Sequence, residues 1–222
     1  MSDTLNVLCA GAVQGIVKAL HARFGAVGAM QEALLAGEPC DVMIVTDAMV
    51  VALQSEGKLG IRPRAPLGRV RTGLAVRNGE SIPGIATPDA LKASLRAASA
   101  IYFPDSQRST AGIHFASVLD RLGIAEELAP RLHTFPNGAT AMRELAASAP
   151  GAIGCTQITE IMYTPGITLV GPLPDEFELA TVYTAAVAMR AAQPVLAQRF
   201  IDLLAGPATR AMRADGGFEF DA

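Results

Sequence analysis

The chain has 222 residues, half of them apolar, which is enough to bury a substantial core as one large domain or two small ones and rules out a disordered chain. A net charge of −3 without any run of Lys and Arg excludes the electrostatic footprint of a nucleic-acid binder or of a protein docking on an anionic membrane. No apolar stretch is long enough to insert in a bilayer, since the richest, Ala180 to Ala192, is interrupted by Thr, Tyr and Arg.

The opening Met1-Ser2-Asp3-Thr4 lacks the charged and apolar regions of an export signal. The chain as written is therefore expected in the cytoplasm, or in the periplasm if Met1 is an artificial start. Leu5 to Ala10 reads as a strand, and Val13 to Phe24, with Val13, Ile16, Val17, Leu20 and Phe24 at helical spacing, as the helix after it. Gly25-Ala26-Val27-Gly28 opens a second helix over Gly28 to Leu35. Cys40 to Thr46 contains Val42-Met43-Ile44-Val45, the composition of a strand covered on both faces. Asp47 is then placed as the N-cap of a helix reaching Glu56.

Gly68 to Arg77 alternates as an extended strand, Asn78 to Gly84 is a Gly- and Pro-bearing loop, and Thr87-Pro88-Asp89-Ala90 marks a helix start. A second βα series follows. Ala100 to Phe103 is its first strand, Pro104 to Thr110 a polar loop and Ala111 to Leu122 a helix, with further helices at Ala125 to Leu132 and Gly138 to Ser148. Strands are expected at His133 to Phe135 and Gly151 to Thr156, a helical turn at Gln157 to Met162, and strands again at Ile167 to Gly171 and Ala180 to Met189. Pro194 to Leu204 and Pro207 to Ala214 close the chain as helices. There is no fixed-period repeat, Walker loop, GxGxxG or GxSxG elbow, which removes solenoids, nucleotide folds and α/β-hydrolases.

Cys9, Cys40 and Cys155 follow no CxxC or Cys/His spacing and read as small buried residues or isolated thiols, with one disulfide left open. His21 and His133 lack partners at ligand spacing, so no metal site is expected. His114 lies one helical turn beyond Thr110 and is read first as a structural histidine. Asp47 is a cap before it is a general base.

In this order the segments resemble the molybdate-binding branch of the type II periplasmic binding proteins. The resemblance rests on Val7 to Ala12, Gly25 to Met30, Cys40 to Asp47, Pro104 to His114, Gly151 to Thr156 and Phe200 to Ala208. It implies an α/β, two-lobed fold with mostly parallel sheets and a ligand cleft between the lobes, one lobe taking residues 1–77 with 180–222 and the other 78–179. It also implies an anion held by helix N-termini, no cofactor, and an ABC-transporter permease as partner. Two departures stand out. The strand that such proteins carry before the glycine-rich turn is not evident, because Phe24 runs directly into Gly25; either it is missing here or a segment is absent from the chain. The hydroxyl positions of the molybdate binders are here Gly11 or Ala12 and Ala26 or Val27, and their tyrosine region reads Cys155-Thr156.

The loop Pro104 to Gly112 instead concentrates donors, with Arg108 able to fork onto a carboxylate. The expected ligand-binding set is Ala10, Gly11, Ala12, Val27, Gly28, Thr46, Gln107, Arg108, Ser109, Thr110, Thr156, Gln157 and Tyr183, without a metal. It is similar to relatives that hold small organic acids, among them a branch resembling aconitate isomerase. The expected function is binding of a small carboxylate in preference to molybdate; the alternative is isomerisation of an unsaturated organic acid, with the catalytic base unassigned.

Overall fold

A computed structural model describes residues 4–17, 22–60 and 64–220. Along the chain, β1 (Val7–Ala10) leads through a turn of 3-10 helix, Gly11–Val13, to α1 (Gln14–Val17), β2 (Ala22–Gly25), α2 (Val27–Leu35), β3 (Val42–Thr46) and α3 (Asp47–Ser55). β4 (Ala65–Arg77), α4 (Pro88–Ala97), β5 (Ile101–Pro104), α5 (Thr110–Arg121), α6 (Ala125–Leu128) and β6 (Leu132–Phe135) follow. The remainder is α7 (Gly138–Ala146), β7 (Ile153–Gln157), α8 (Ile158–Tyr163), β8 (Ile167–Pro172), β9 (Ala180–Val187), α9 (Pro194–Ala205) and α10 (Arg210–Asp215). The chain forms two compact units, Met1–Val70 with Thr181–Ala222, and Arg71–Ala180. The junctions thus fall at 70/71 within β4 and at 180/181 within β9, where the sequence reading has 77/78 and 179/180.

In the first unit β1 is central, parallel to β2 on one side and β3 on the other, and β9 adds antiparallel to β3. Val42, Met43, Ile44 and Val45 are fully buried, as a strand covered on both faces requires. They share one core with Val7, Leu8, Met30, Val50, Leu53, Ile201 and Leu204. Asp41, 1% exposed, ties this core together: its carboxylate accepts from Asn6 N at 2.8 Å, Asn6 Nδ2 at 3.1 Å and Gln193 N at 3.0 Å.

In the second unit β5 lies between β6 and β7, parallel to both, while β4 runs antiparallel to β7 and β8. Leu91 and Leu95 on α4 and Phe115, Val118 and Leu119 on α5 pack on Leu74, Ile101, Phe103 and Ile153. Smaller residues, Ala141, Met142, Leu145 and Ile161, build a second cluster where α7 and α8 cover the sheet. α4 starts as its sequence demands, with Thr87 Oγ1 accepting from Ala90 N and Pro88 in the first turn.

Three expectations are corrected. The first helix does not reach Phe24: α1 is described as Gln14–Val17, residues 18–21 lie outside the described set, and Ala22–Gly25 is strand β2. The strand before the glycine-rich turn is therefore present, paired in register with β1 from Val7↔Ala22 to Ala10↔Gly25. Phe24 fits a helix by its spacing from Leu20, but β1 needs hydrogen-bond partners along both edges, and only tertiary structure reveals that demand. The α3 cap is Thr46, whose Oγ1 accepts from Met49 N at 3.3 Å, one residue earlier than Asp47. Lastly, the all-cysteine ambiguity closes, since Cys9, Cys40 and Cys155 are all free and buried.

Candidate functional site

In parallel sheets the carboxyl ends of the strands gather the helix N-termini, and with them unpaired amides and positive dipole ends. In the first unit this edge is formed by the ends of β1, β2 and β3. It brings together Ala10, Gly11 and Ala12, then Val27 and Gly28 at the start of α2, then Thr46, with Tyr183 opposite Thr46 in the antiparallel register. Ala26, the N-cap of α2, has no side chain able to hydrogen-bond the first-turn amides. Backbone is thus the donor here, and the flanking surface is small and apolar. The Tyr183 ring is 2% exposed and belongs to the core of the unit. Asp47 is engaged by Thr184 Oγ1 at 2.9 Å and Arg64 Nη1 at 3.0 Å.

The corresponding edge of the second unit is formed by the ends of β5, β6 and β7. Beyond β5, Asp105 Oδ1 accepts from Gln107 N at 2.7 Å and Arg108 N at 3.1 Å, shaping a turn from which the Gln107 and Arg108 side chains stand exposed. Ser109 is the N-cap of α5 and gives no side-chain bond to its helix, leaving the Thr110 end of α5 uncapped. α5 presses close to this loop: a methyl group on Gly112 would lie 2.2 Å from the Asp105 carbonyl oxygen and 2.3 Å from that of Pro104.

Thr156 and Gln157, both buried, end β7 and meet a residue the sequence reading passed over, Glu160. Its carboxylate accepts from Thr156 Oγ1 at 2.5 Å and from the backbone N–H groups of Ala139 and Gln157. It sits against the first turn of α7, so that a methyl group on Gly138 would come within 2.0 Å of Oε2. Asn137 closes the same turn by accepting from Thr140 N at 2.9 Å. Burial pushes the Glu160 carboxyl up to about 7, against the opposing pull of those three hydrogen bonds. A signal was available in sequence: an acidic residue between Ile158 and Ile161, in a stretch too apolar for a solvated turn.

The remaining candidates take structural roles. His114 donates Nε2–H to the Phe177 carbonyl at 2.8 Å, and exposed His133 stacks on Tyr102 with ring centroids 5.0 Å apart. His21 lies outside the described residues. Burial raises the Cys9 and Cys155 thiols well above their ordinary range and Cys40 to about 12, so none is a thiolate at neutral pH. Among the described residues no group of three or more His, Cys, Asp or Glu is arranged to hold a metal, and no helix is long and apolar enough to cross a membrane.

Parallel strands with helices seated at their carboxyl ends, in a mixed sheet, define an α/β protein of the type II periplasmic-binding-protein fold. The structure is similar to the periplasmic molybdate-binding protein of Azotobacter vinelandii, with a TM-score of 0.79 and 18% identity over 98% of this chain and 100% of that one. It is also similar to a sulfate-binding protein of Mycobacterium tuberculosis H37Rv, with a TM-score of 0.72 and 16% identity over 97% and 86% of the two chains. The chain belongs to the bacterial extracellular solute-binding protein family, whose model matches residues 10–219. In sequence it is similar to an aconitate isomerase of a Pseudomonas species, 26% identical over 192 residues that make up 86% of this chain and 71% of the relative.

Proposed function

We propose that this protein binds a small organic carboxylate, in preference to molybdate, through the strand-end loops of its units. One contrast carries the reading. Thr46, Thr87 and Asn137 cap their own helices with side-chain oxygens, whereas Ala26 at α2 and Ser109 at α5 do not. Those two helix starts retain donors for an external anion. The absence of hydroxyls at Ala10, Gly11, Ala12, Ala26 and Val27 disfavours a tetrahedral oxyanion, which needs donors all around it, and suits a ligand with an apolar part. Exposed Arg108 offers a fork to a second carboxylate. As a transport receptor the protein would pass its solute to a membrane permease.

Thermal-shift measurements with trans-aconitate, citrate, molybdate, tungstate and sulfate test this. A true ligand at a hundred times its Kd stabilises the fold by about 2.7 kcal/mol through mass action. Stabilisation by the tricarboxylates is expected; stabilisation by molybdate or tungstate alone would sink the reading.

A second reading, isomerisation of an unsaturated organic acid, is favoured by the similarity to aconitate isomerase and by a carboxyl poised near neutrality at Glu160. Proton abstraction beside a carboxylate needs a base of that kind and donors for the enolate-like state. Following cis- and trans-aconitate by NMR in the presence of the protein decides it, and no interconversion of either acid leaves the receptor reading in place.

A further inference from the structure

We propose that Glu160 couples anion binding at the strand-end edge of the second unit to uptake of one proton, by deciding whether Thr156 and Ala139 serve the protein's own carboxylate or an incoming ligand. The inference rests on the anion-binding reading above and adds to it a second donor set, at the end of β7 and the start of α7, on the strand-end edge that also holds the start of α5.

The geometry leaves the two anions competing. Glu160 is 4% exposed, and its carboxylate takes the Thr156 hydroxyl proton at 2.5 Å together with the Ala139 N–H in the first turn of α7. Gly138 provides no spacer, because a methyl group there would lie 2.0 Å from Glu160 Oε2 and 2.1 Å from Thr156 Oγ1. The ionised carboxylate is therefore a resident acceptor, occupying two buried donors, the Thr156 hydroxyl at the end of β7 and the Ala139 N–H at the start of α7.

Protonation reverses the direction of one bond. A neutral Glu160 carries an O–H that can donate to Thr156 Oγ1, and the single Thr156 proton is then released to turn toward another acceptor. It also removes a buried negative charge from beside the anion's position, where the low dielectric magnifies like-charge repulsion.

Among the described residues no cation acts on Glu160, whose environment is set by burial and three hydrogen bonds alone. On α7, Arg143 and Glu144 are both exposed, and Arg143 Nη2 donates to Thr140 Oγ1 at 3.0 Å. On β7, Cys155 is a buried neutral thiol; on α8 the other titratable group is Tyr163; β8 and residues 72–76 of β4 carry none. Arg77, at the far end of β4, is held by Glu80 at 2.8 Å and by the Ser148 carbonyl at 2.6 Å. Burial then sets the Glu160 proton in exchange near pH 7, where uptake and release both lie within reach.

The test uses the full chain and two probes, trans-aconitate and sulfate, of which sulfate keeps one protonation state across the range and is the reference for counting protons. Calorimetric titrations in two buffers of different ionisation heat, between about pH 6 and pH 8, read proton uptake directly. For the wild type we expect uptake that rises from little at about pH 6 to nearly one proton per anion at about pH 8, with affinity falling by nearly tenfold per pH unit well above about pH 7. Glu160→Gln should bind either probe with no uptake and no pH slope. Infrared difference spectra supply a readout free of ligand: a protonated-carboxyl stretch should titrate near neutrality in the wild type and in Thr156→Val, and be missing from Glu160→Gln. Binding without proton uptake at about pH 8, or a stretch that never titrates, overturns the coupling and leaves the solute reading intact. Failure of both probes to bind either variant overturns the two together.

Discussion

Thr184 on β9 donates its hydroxyl to Asp47 Oδ1 at 2.9 Å, joining the first turn of α3 to a strand 137 residues further along the chain. Asp47 is thus a tie between elements rather than a helix cap, and its second oxygen meets Arg64 at 3.0 Å. Thr184 is fully buried, whereas Arg64 is nearly half exposed, so the hydroxyl is the partner that matters. Thr184→Val, which removes the donor, should destabilise the protein by about 1–2 kcal/mol in urea unfolding, and Arg64→Ala by less than about 0.5 kcal/mol. Equal losses from the two changes would contradict this ranking.

Glu160 also sets a pH dependence of stability. Its carboxyl is raised in the folded state from an ordinary value of 4.5 to about 7, so between those limits the folded chain holds a proton that the unfolded chain releases. Stability falls as pH rises through that window, by up to about 3 kcal/mol from this group. Other carboxyls slope the opposite way: Glu80 is held low by the Gly151 N–H and then Arg77, and Glu127 by Arg96. The quantity to measure is therefore the difference between wild type and Glu160→Gln in denaturant midpoints from about pH 4 to pH 8. The gap should shift steadily against the wild type with rising pH, and a flat difference would refute the assignment.

Steric necessity separates three glycines. A methyl group on Gly112 meets backbone carbonyls at 2.2 and 2.3 Å, one on Gly138 meets the Glu160 and Thr156 side chains at 2.0 and 2.1 Å, and one on Gly84 meets nothing within 4 Å. Backbone cannot step aside as side chains can. Gly112→Ala should cost about 3 kcal/mol or more, Gly138→Ala about 1–3 kcal/mol, and Gly84→Ala should be near neutral, as read by thermal unfolding.

Arg213 is 3% exposed and spends its guanidinium on main-chain carbonyls: Leu67 O from Nη1, and Ala205 O and Gly206 O from Nη2 at 2.9 Å each. Its guanidinium also lies 4.9 Å from the centroid of the Phe220 ring. Arg213→Met keeps much of the bulk and strands these carbonyls. A loss of about 3 kcal/mol is expected, and Arg213→Lys should recover only part of it because one ammonium cannot reach both ends of the fork. Full recovery by lysine would show that charge alone suffices.

Much of this architecture is readable in sequence because its signals are local. Thr87-Pro88 announces α4, Val42 to Val45 announces a strand buried on both faces, and the donor-rich segment after Phe103 marks the loop before α5. The strand β2 is not readable, since Ala22-Arg23-Phe24-Gly25 continues a helical spacing and only the edge of β1 requires it to pair. Glu160 escaped for a related reason. Its chemistry arises from Thr156, Gly138 and Ala139, which are brought together by the crossover from β6 through α7 to β7; the apolar neighbours Ile158 and Ile161 hint at its burial, but nothing local names those partners. Tyr183 shows the reverse, a polar aromatic residue on a strand whose burial in the core depends on its neighbours in space.

The Asp105 carboxylate fastens the amides of Gln107 and Arg108, so the shape of the loop is set by a group that those two side chains do not include. Residues 106–108 are displayed from a frame that precedes any partner, and ordering the loop adds little to the entropy of association. If the proposed carboxylate site is correct, variation at these three positions would explore new ligand chemistries while the backbone path stays constant, which would make this rim a starting point for retargeting the protein by directed evolution.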